Sequence, residues 1–288
     1  MPRGVPKNGF RAPRNGTAAA DRLANLRVSY EPESKRETDA EIDKRIGERF
    51  EILDILTEAC ITGFSRSLIV SGAPGIGKSY GVEKALEKMD NTGESYEIIK
   101  GYTRPTGLIK MLYRYRHPNN IVVFDDADSV FHDDVGLNIL KCVADTTERR
   151  VVSWLSEGSL IDEDTAERIP RSFEFKGSVL FLTNLDFETL IGRGHKIAPH
   201  LEALMSRSHY LDLSMKTRRD YLIRMRQVLK QGMLSDLSFE ERSEVITFIE
   251  RNYETMRELS LRAAIKLGNI RKSSKDWEKI ASITMLKQ

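Results

Sequence analysis

An α/β fold with parallel strands is what this sequence predicts, on three observations. Short apolar runs, Leu68-Ile69-Val70, Ile121-Val122-Val123-Phe124 and Val179-Leu180-Phe181-Leu182, read as strands. Their lack of alternation suits a parallel sheet covered on both faces. Segments of helical spacing separate them. The first run also passes into Gly72-Ala73-Pro74-Gly75-Ile76-Gly77-Lys78-Ser79, which fits G-x-x-x-x-G-K-[ST] in the strand–loop–helix setting that this motif requires.

The elements follow in order. Residues 1–20 carry Arg3, Lys7, Arg11 and Arg14 with no acid, and are broken by proline and glycine. Two readings of this basic arm stand: a tether to nucleic-acid phosphates, or a solvated tail or inter-subunit strap. With the mixed-charge stretch that follows, it forms an arm and linker over 1–38. Between Asp39 and Thr62, Ile42, Ile46, Phe50, Leu53, Leu56 and Cys60 recur at helical steps. A helix is expected over Ser79–Met89, a turn at Asp90–Gly93 and a strand over Tyr96–Lys100. Tyr102 lies in the next loop, and a helix covers Leu108–Tyr115. The Ile121 strand ends in Asp125-Asp126, and Val135–Val143 has the core face of a helix. Arg149 and Arg150 precede a short strand and read as a solvated turn, or as contacts to a neighbour or nucleic acid. The strand Ser178–Asn184 ends in a polar pair. Leu201–Met205 is helical and leads to Ser206-Arg207-Ser208, then to a strand over His209–Leu213. Helices then cover Thr217–Lys230, Ser238–Asn252 with a capping-box pattern of Ser238 and Glu241, and a segment opening at Leu259–Arg262. Trp277, Ile280, Ile283 and Leu286 are expected on the core face of a last helix.

The phosphate loop has a physical rationale at each position. Its glycines allow backbone dihedrals closed to other residues, so that successive N–H groups turn inward on phosphate oxygens. Pro74, Ala73, Ile76 and Tyr80 complete the loop and its exit into a helix whose positive end faces the same phosphates. Lys78 adds a full charge near the β and γ phosphates, and Ser79 a hydroxyl for Mg²⁺. Ligands of open α/β sheets bind at the C-terminal ends of strands. Asp125 there is placed to hold Mg²⁺, and Asp126 to orient an attacking water. Asn184 is a turn residue or a holder of that water.

Composition narrows the classes. The net charge of +2 over 288 residues is too small to imply a polyanion partner by itself. Cys60 and Cys142 have no C-x-x-C and no nearby histidine, so both are expected as buried thiols in a reducing compartment. No run approaches the roughly 20 apolar residues of a membrane span, and there is no secretory h-region. The expected setting is cytoplasmic, the host cytoplasm for a viral protein, with no membrane partner.

The order Gly72–Ser79, Phe124-Asp125-Asp126, Thr183-Asn184, Ser206-Arg207 and a helical C-terminus resembles the AAA+ ATPases over about residues 40–288. The resemblance implies a five-stranded parallel sheet of order 5-1-4-3-2 between helical layers over 39–214, and a small all-helical lid over 215–288. It implies a homo-oligomer, a hexameric ring or spiral, with ATP and Mg²⁺ at each interface. By position, Asp125 matches the Walker B aspartate, Asn184 sensor 1, Arg207 a finger acting on the neighbour's ATP, and Arg262 sensor 2. Ser206-Arg207-Ser208 is similar to the Ser-Arg-Cys of clamp loaders, and Tyr102 stands where translocating members place a pore-loop aromatic. Against these stand a helix-end arginine for Arg207 and a solvated one for Arg262. The family has Asp-Glu where this chain has Asp125-Asp126, which puts the speed of hydrolysis in question.

The function expected is ATP-driven remodelling of, or translocation on, nucleic acid in replication, recombination or packaging, with a protein partner supplying specificity. The rivals are a protein unfoldase, an ATP-gated assembly switch and a small-molecule kinase. A kinase leaves the lid helices, Asn184 and Arg207 unexplained.

Overall fold

Strands that are apolar on both faces can be buried only between two helical layers, and the chain folds that way. The computed structural model describes residues 37–287 except 155–157 and 163–164. The basic arm expected over 1–20 lies outside the described residues.

Helix α1 (Asp39–Ile61) precedes strand β1 (Ser67–Ser71), helix α2 (Lys78–Met89), β2 (Tyr96–Lys100), α3 (Pro105–Arg114) and β3 (Ile121–Asp125). A 3₁₀ turn at Asp128–His132 leads to α4 (Asp134–Val143). Four short strands follow: β4 (Val151–Ser153), β5 (Leu160–Ile161), β6 (Arg168–Ile169) and β7 (Ser172–Glu174). The chain continues with β8 (Ser178–Thr183), α5 (Phe187–Gly192), α6 (Ala198–Met205) and β9 (His209–Asp212). It closes with α7 (Arg218–Lys230), α8 (Phe239–Asn252), α9 (Leu261–Ser273) and α10 (Trp277–Met285).

The main sheet runs β2-β3-β8-β1-β9, and all of its pairings are parallel. Counting only its five strands in chain order, this is 5-1-4-3-2, the order that the AAA+ resemblance implies. The pleat sorts the central strands into two cores. Ile69, Val122, Phe124, Val179 and Phe181 face α3, α4 and α6, where Phe124 stacks on Phe181 with ring centroids 5.0 Å apart. Leu68, Val70, Ile121, Val123, Leu180 and Leu182 face α1 and α2, through Leu53, Cys60, Val82 and Leu86.

The C-terminal helices have a core of their own, in which Leu222 and Met225 of α7 meet Val245 and Phe248 of α8, Leu267 of α9 and Trp277 of α10. Ser238 and Glu241 form the expected reciprocal cap on α8. Ile42 and Ile46 of α1 meet Ile223 of α7.

Several expectations change. Cys142 is exposed on α4, whereas Cys60 is buried as expected, and burial pushes its thiol up to about 11. Arg150 is buried: its guanidinium donates to the carbonyls of Val143 at 2.7 Å and Gly177 at 2.8 Å, so it pins the chain instead of lying in a solvated turn. On α10, Trp277 and Ala281 face the core, while Ile280 is 37% and Ile283 58% exposed. The antiparallel pairs β4–β7 and β5–β6 were not foreseen beyond a strand at 151–154.

In a thiol titration of the native protein, one group, Cys142, reacts promptly, and the second appears only in denaturant. Prompt reaction of both would contradict the burial of Cys60.

Candidate active site

The site is assembled where β1, β3 and β8 end side by side. Parallel register places Ser71 beside Thr183, and Asp125 beside Leu182, so the phosphate loop, Asp125 and Asn184 converge on one sheet edge.

The loop needs its glycines. Gly75 and Gly77 have φ of 74° and 100°, the left-handed region that disfavours any side chain. A Cβ on Gly75 would also sit 2.8 Å from Cβ of Ser260 in the C-terminal helices. The Leu261 N–H donates to the Gly75 carbonyl at 2.7 Å. The loop is thus bounded on one side by the sheet and on the other by the start of α9.

Lys78 is 5% exposed although it opens α2. Its Nζ donates to the carbonyls of Gly72 at 2.5 Å and Ala73 at 3.1 Å, and to Asn184 Oδ1 at 2.9 Å. Burial pulls its pKa down to about 8, against the attraction of Asp126, Asp125 and Asp128. Ser79 Oγ donates to Asp125 Oδ1 at 2.8 Å, and Asp125 is itself buried, with Lys100 Nζ 3.5 Å from its other oxygen. Asp126 is exposed and takes a left-handed φ of 52°, a conformation that aspartate tolerates better than most residues. Its Oδ1 accepts from Asn184 Nδ2 at 2.7 Å. The amide of Asn184 therefore spans from the loop lysine to the second carboxylate.

The other candidates are placed as follows. Tyr80 is 63% exposed on α2, with the Lys84 ammonium 5.2 Å from its ring centre. Arg262 is exposed at the start of α9, its Cγ 3.8 Å from where a Gly75 Cβ would stand. Arg207 follows α6, donates to the Ala203 carbonyl at 2.6 Å and lies 3.8 Å from Asp145. Leu68 pairs with His209. Arg207 thus precedes the sheet's N-terminal edge, away from the loop at the C-terminal edge by the length of β1, on the order of 15 Å. Tyr102 is 74% exposed after β2.

Some residues of the site were not singled out from the sequence. Lys100 ends β2 beside Asp125, which only strand pairing could reveal. Arg224 of α7 is buried, donates Nε to the Ile76 carbonyl at 3.1 Å, and lies 3.3 Å over the Phe50 ring. Burial pulls its pKa down to about 10. Asp128, past the paired aspartates, accepts from Thr183 Oγ1 at 2.5 Å.

No family model matches the chain. It is 39% identical over 263 residues to an uncharacterized 36.7 kDa protein from the nrdC-mobD intergenic region of Enterobacteria phage T4, covering 88% of this chain and 80% of that protein. Among solved structures, a point variant of Thermotoga maritima RuvB superposes with a TM-score of 0.47 at 8% identity, over 86% of this chain and 72% of its own. NtrX from Brucella abortus in complex with ADP superposes with a TM-score of 0.45 at 12% identity, over 93% and 54%.

Replacing Gly75 by Ala is expected to destabilise the fold by more than the roughly 1–2 kcal/mol of a left-handed alanine, because the Ser260 contact adds to it. Gly93→Ala, with φ of 75° but open space around it, bears the backbone term alone. Urea unfolding of the two variants checks the order. A second expectation concerns pH. The free chain holds the Lys78 proton only below about 8, and a bound polyphosphate would hold it higher. ATP affinity, read with a fluorescent analogue, should therefore be level well below that value and weaken as pH rises through it.

Proposed function

The chain belongs to the family of the phage T4 protein, and we propose that it is a Mg²⁺-dependent AAA+ ATPase that hydrolyses ATP at the interfaces of a ring or spiral and acts on nucleic acid. The observation that carries this reading is the run Lys78–Asn184–Asp126 beside Ser79–Asp125, at the mouth of a loop whose left-handed positions 75 and 77 are both glycine.

The loop N–H groups and Lys78 bind the β and γ phosphates. The lysine is held by neutral oxygens, two loop carbonyls and the Asn184 amide, in a buried setting, so an anion has much to offer it. The donor set of one hydroxyl and one carboxylate fits Mg²⁺, which Ser79 and Asp125 would hold; once bound it supplies positive charge against the charge growing on the phosphoryl oxygens. Asp126, free of apolar cover, takes the proton of the attacking water, and Asn184 aligns that water between Asp126 and the lysine. Adenine would lie against Ile46, Phe50, Leu213 and Met215, which line a shallow hollow that must open to admit it. Leu213 also touches the loop, since a Cβ on Gly72 would meet its Cβ at 3.1 Å. Arg262, from the helix that abuts Gly75, reaches the γ phosphate when the C-terminal helices close as a lid. Arg207, remote from the loop of its own chain, serves the ATP of an adjacent protomer.

Nucleic acid is favoured as the thing acted on by the basic residues of the arm and by the clamp-loader-like Ser206-Arg207-Ser208. A protein remodeller is the second reading, supported by the exposed Tyr102. Asp126 in place of glutamate supports slow turnover and a switch-like use of ATP.

Lys78→Ala should bind ATP at least about a hundredfold more weakly, and Arg207→Ala should bind it normally yet release phosphate slowly. Mixing the two inactive variants should restore part of the rate, because a mixed interface pairs an intact loop with an intact finger. Parent-like turnover by Arg207→Ala would move the finger elsewhere. Single-stranded DNA should raise the rate of the parent, and less so after deletion of residues 1–20 or in high salt; a rate indifferent to nucleic acid favours the protein remodeller.

A further inference from the structure

We propose that Asp128 is a positioning residue: it fixes the backbone around Asn184 so that the amide can stand between Lys78 and Asp126. This rests on the reading of Asn184 as the group that aligns the attacking water.

Asp128 opens the 3₁₀ turn after β3, and its carboxylate is turned to the end of the neighbouring strand β8. Oδ1 accepts the Thr183 hydroxyl at 2.5 Å, and the Asn184 backbone N–H also donates to the carboxylate. Thr183 is fully buried, and its Oγ1 in turn accepts from the Leu185 N–H at 3.0 Å. One carboxylate therefore holds residue 184 directly and the residues on either side of it through a single hydroxyl.

That hold matters because Asn184 makes opposite demands at its two ends. Its carbonyl oxygen meets the Lys78 ammonium and its amide nitrogen meets the Asp126 carboxylate, at 2.9 and 2.7 Å. Each end of the amide is matched to the charge it faces, so one orientation is selected. An amide that bridges two charges loses both bonds for a shift of about 1 Å, and misplacement of that size can cost about a hundredfold in rate. A strand terminus left to a turn would not hold such a tolerance unaided. The Asp128 carboxyl titrates above the usual carboxylate range because burial opposes its charge. The hydrogen bonds that converge on it from β8 make it a clamp on the strand end.

The test uses the full chain. Asp128→Ala should lower kcat about tenfold or more with ATP affinity within about twofold of the parent. In an Asn184→Ala background the same change should cost nothing further, because its effect runs through Asn184. Asp128→Asn, which keeps one acceptor oxygen, should recover part of the loss. A crystal structure of Asp128→Ala should show the Asn184 amide displaced from Lys78 and Asp126. Full turnover in Asp128→Ala, an undiminished loss in the Asn184→Ala background, or an unmoved Asn184 would each overturn the proposal. The structural arm judges it even for a parent that releases no phosphate, an outcome that would sink the ATPase reading instead. If Asp128→Ala fails to fold, the same comparisons in Asp128→Asn and Thr183→Val decide.

Discussion

A single buried ammonium sets the terms for this molecule. Lys78 needs oxygen partners because a charge with 5% of its surface in contact with solvent is costly without them. It finds them in two loop carbonyls and in the side chain of Asn184. The carbonyls are available because the glycines let the loop turn back on itself. The amide is available because β8 lies beside β1 in the sheet. Strand order, loop conformation and the aspartates at the mouth thus meet one electrostatic requirement, and the bound polyphosphate of the proposed function would meet it more fully.

Much of this was legible in the sequence, because the three central strands of the sheet are buried on both faces and leave no competing pattern. The five strands, the order drawn from the resemblance, and the clustering of Lys78, Ser79, Asp125, Asp126 and Asn184 all appear as expected. Legibility failed where the signal was short or shared. The strands between Val151 and Glu174 span two or three residues each, below any reliable alternation. On the last helix, Trp277 lies on the core face as expected and packs on Phe248, but Ala281 shares that face while Ile280 and Ile283 turn outward. Arg150 looked like a turn residue because its acceptors are backbone carbonyls, which have no sequence signature. Thr183 lay in a recognised strand and Asp128 beyond the end of another, and only the folding of β3 beside β8 brings them into contact.

The departure at Asp126 has a structural counterpart. Its backbone is left-handed, with φ of 52°, and its carboxylate accepts from the Asn184 amide at 2.7 Å. Glutamate has less tolerance for that conformation than aspartate or asparagine, so the shorter acid and the twisted backbone suit each other.

The hydrogen bond from Leu261 to Gly75 has a mechanical consequence. It joins a left-handed glycine of the loop to the first residue of a helix that continues for 13 residues, on the order of 20 Å. Any rearrangement of the loop that tilts this anchor is multiplied along that rigid rod. By the length of the rod alone, a tilt of about 10° at the glycine would carry its far end by roughly 3 Å, together with the helices packed on it.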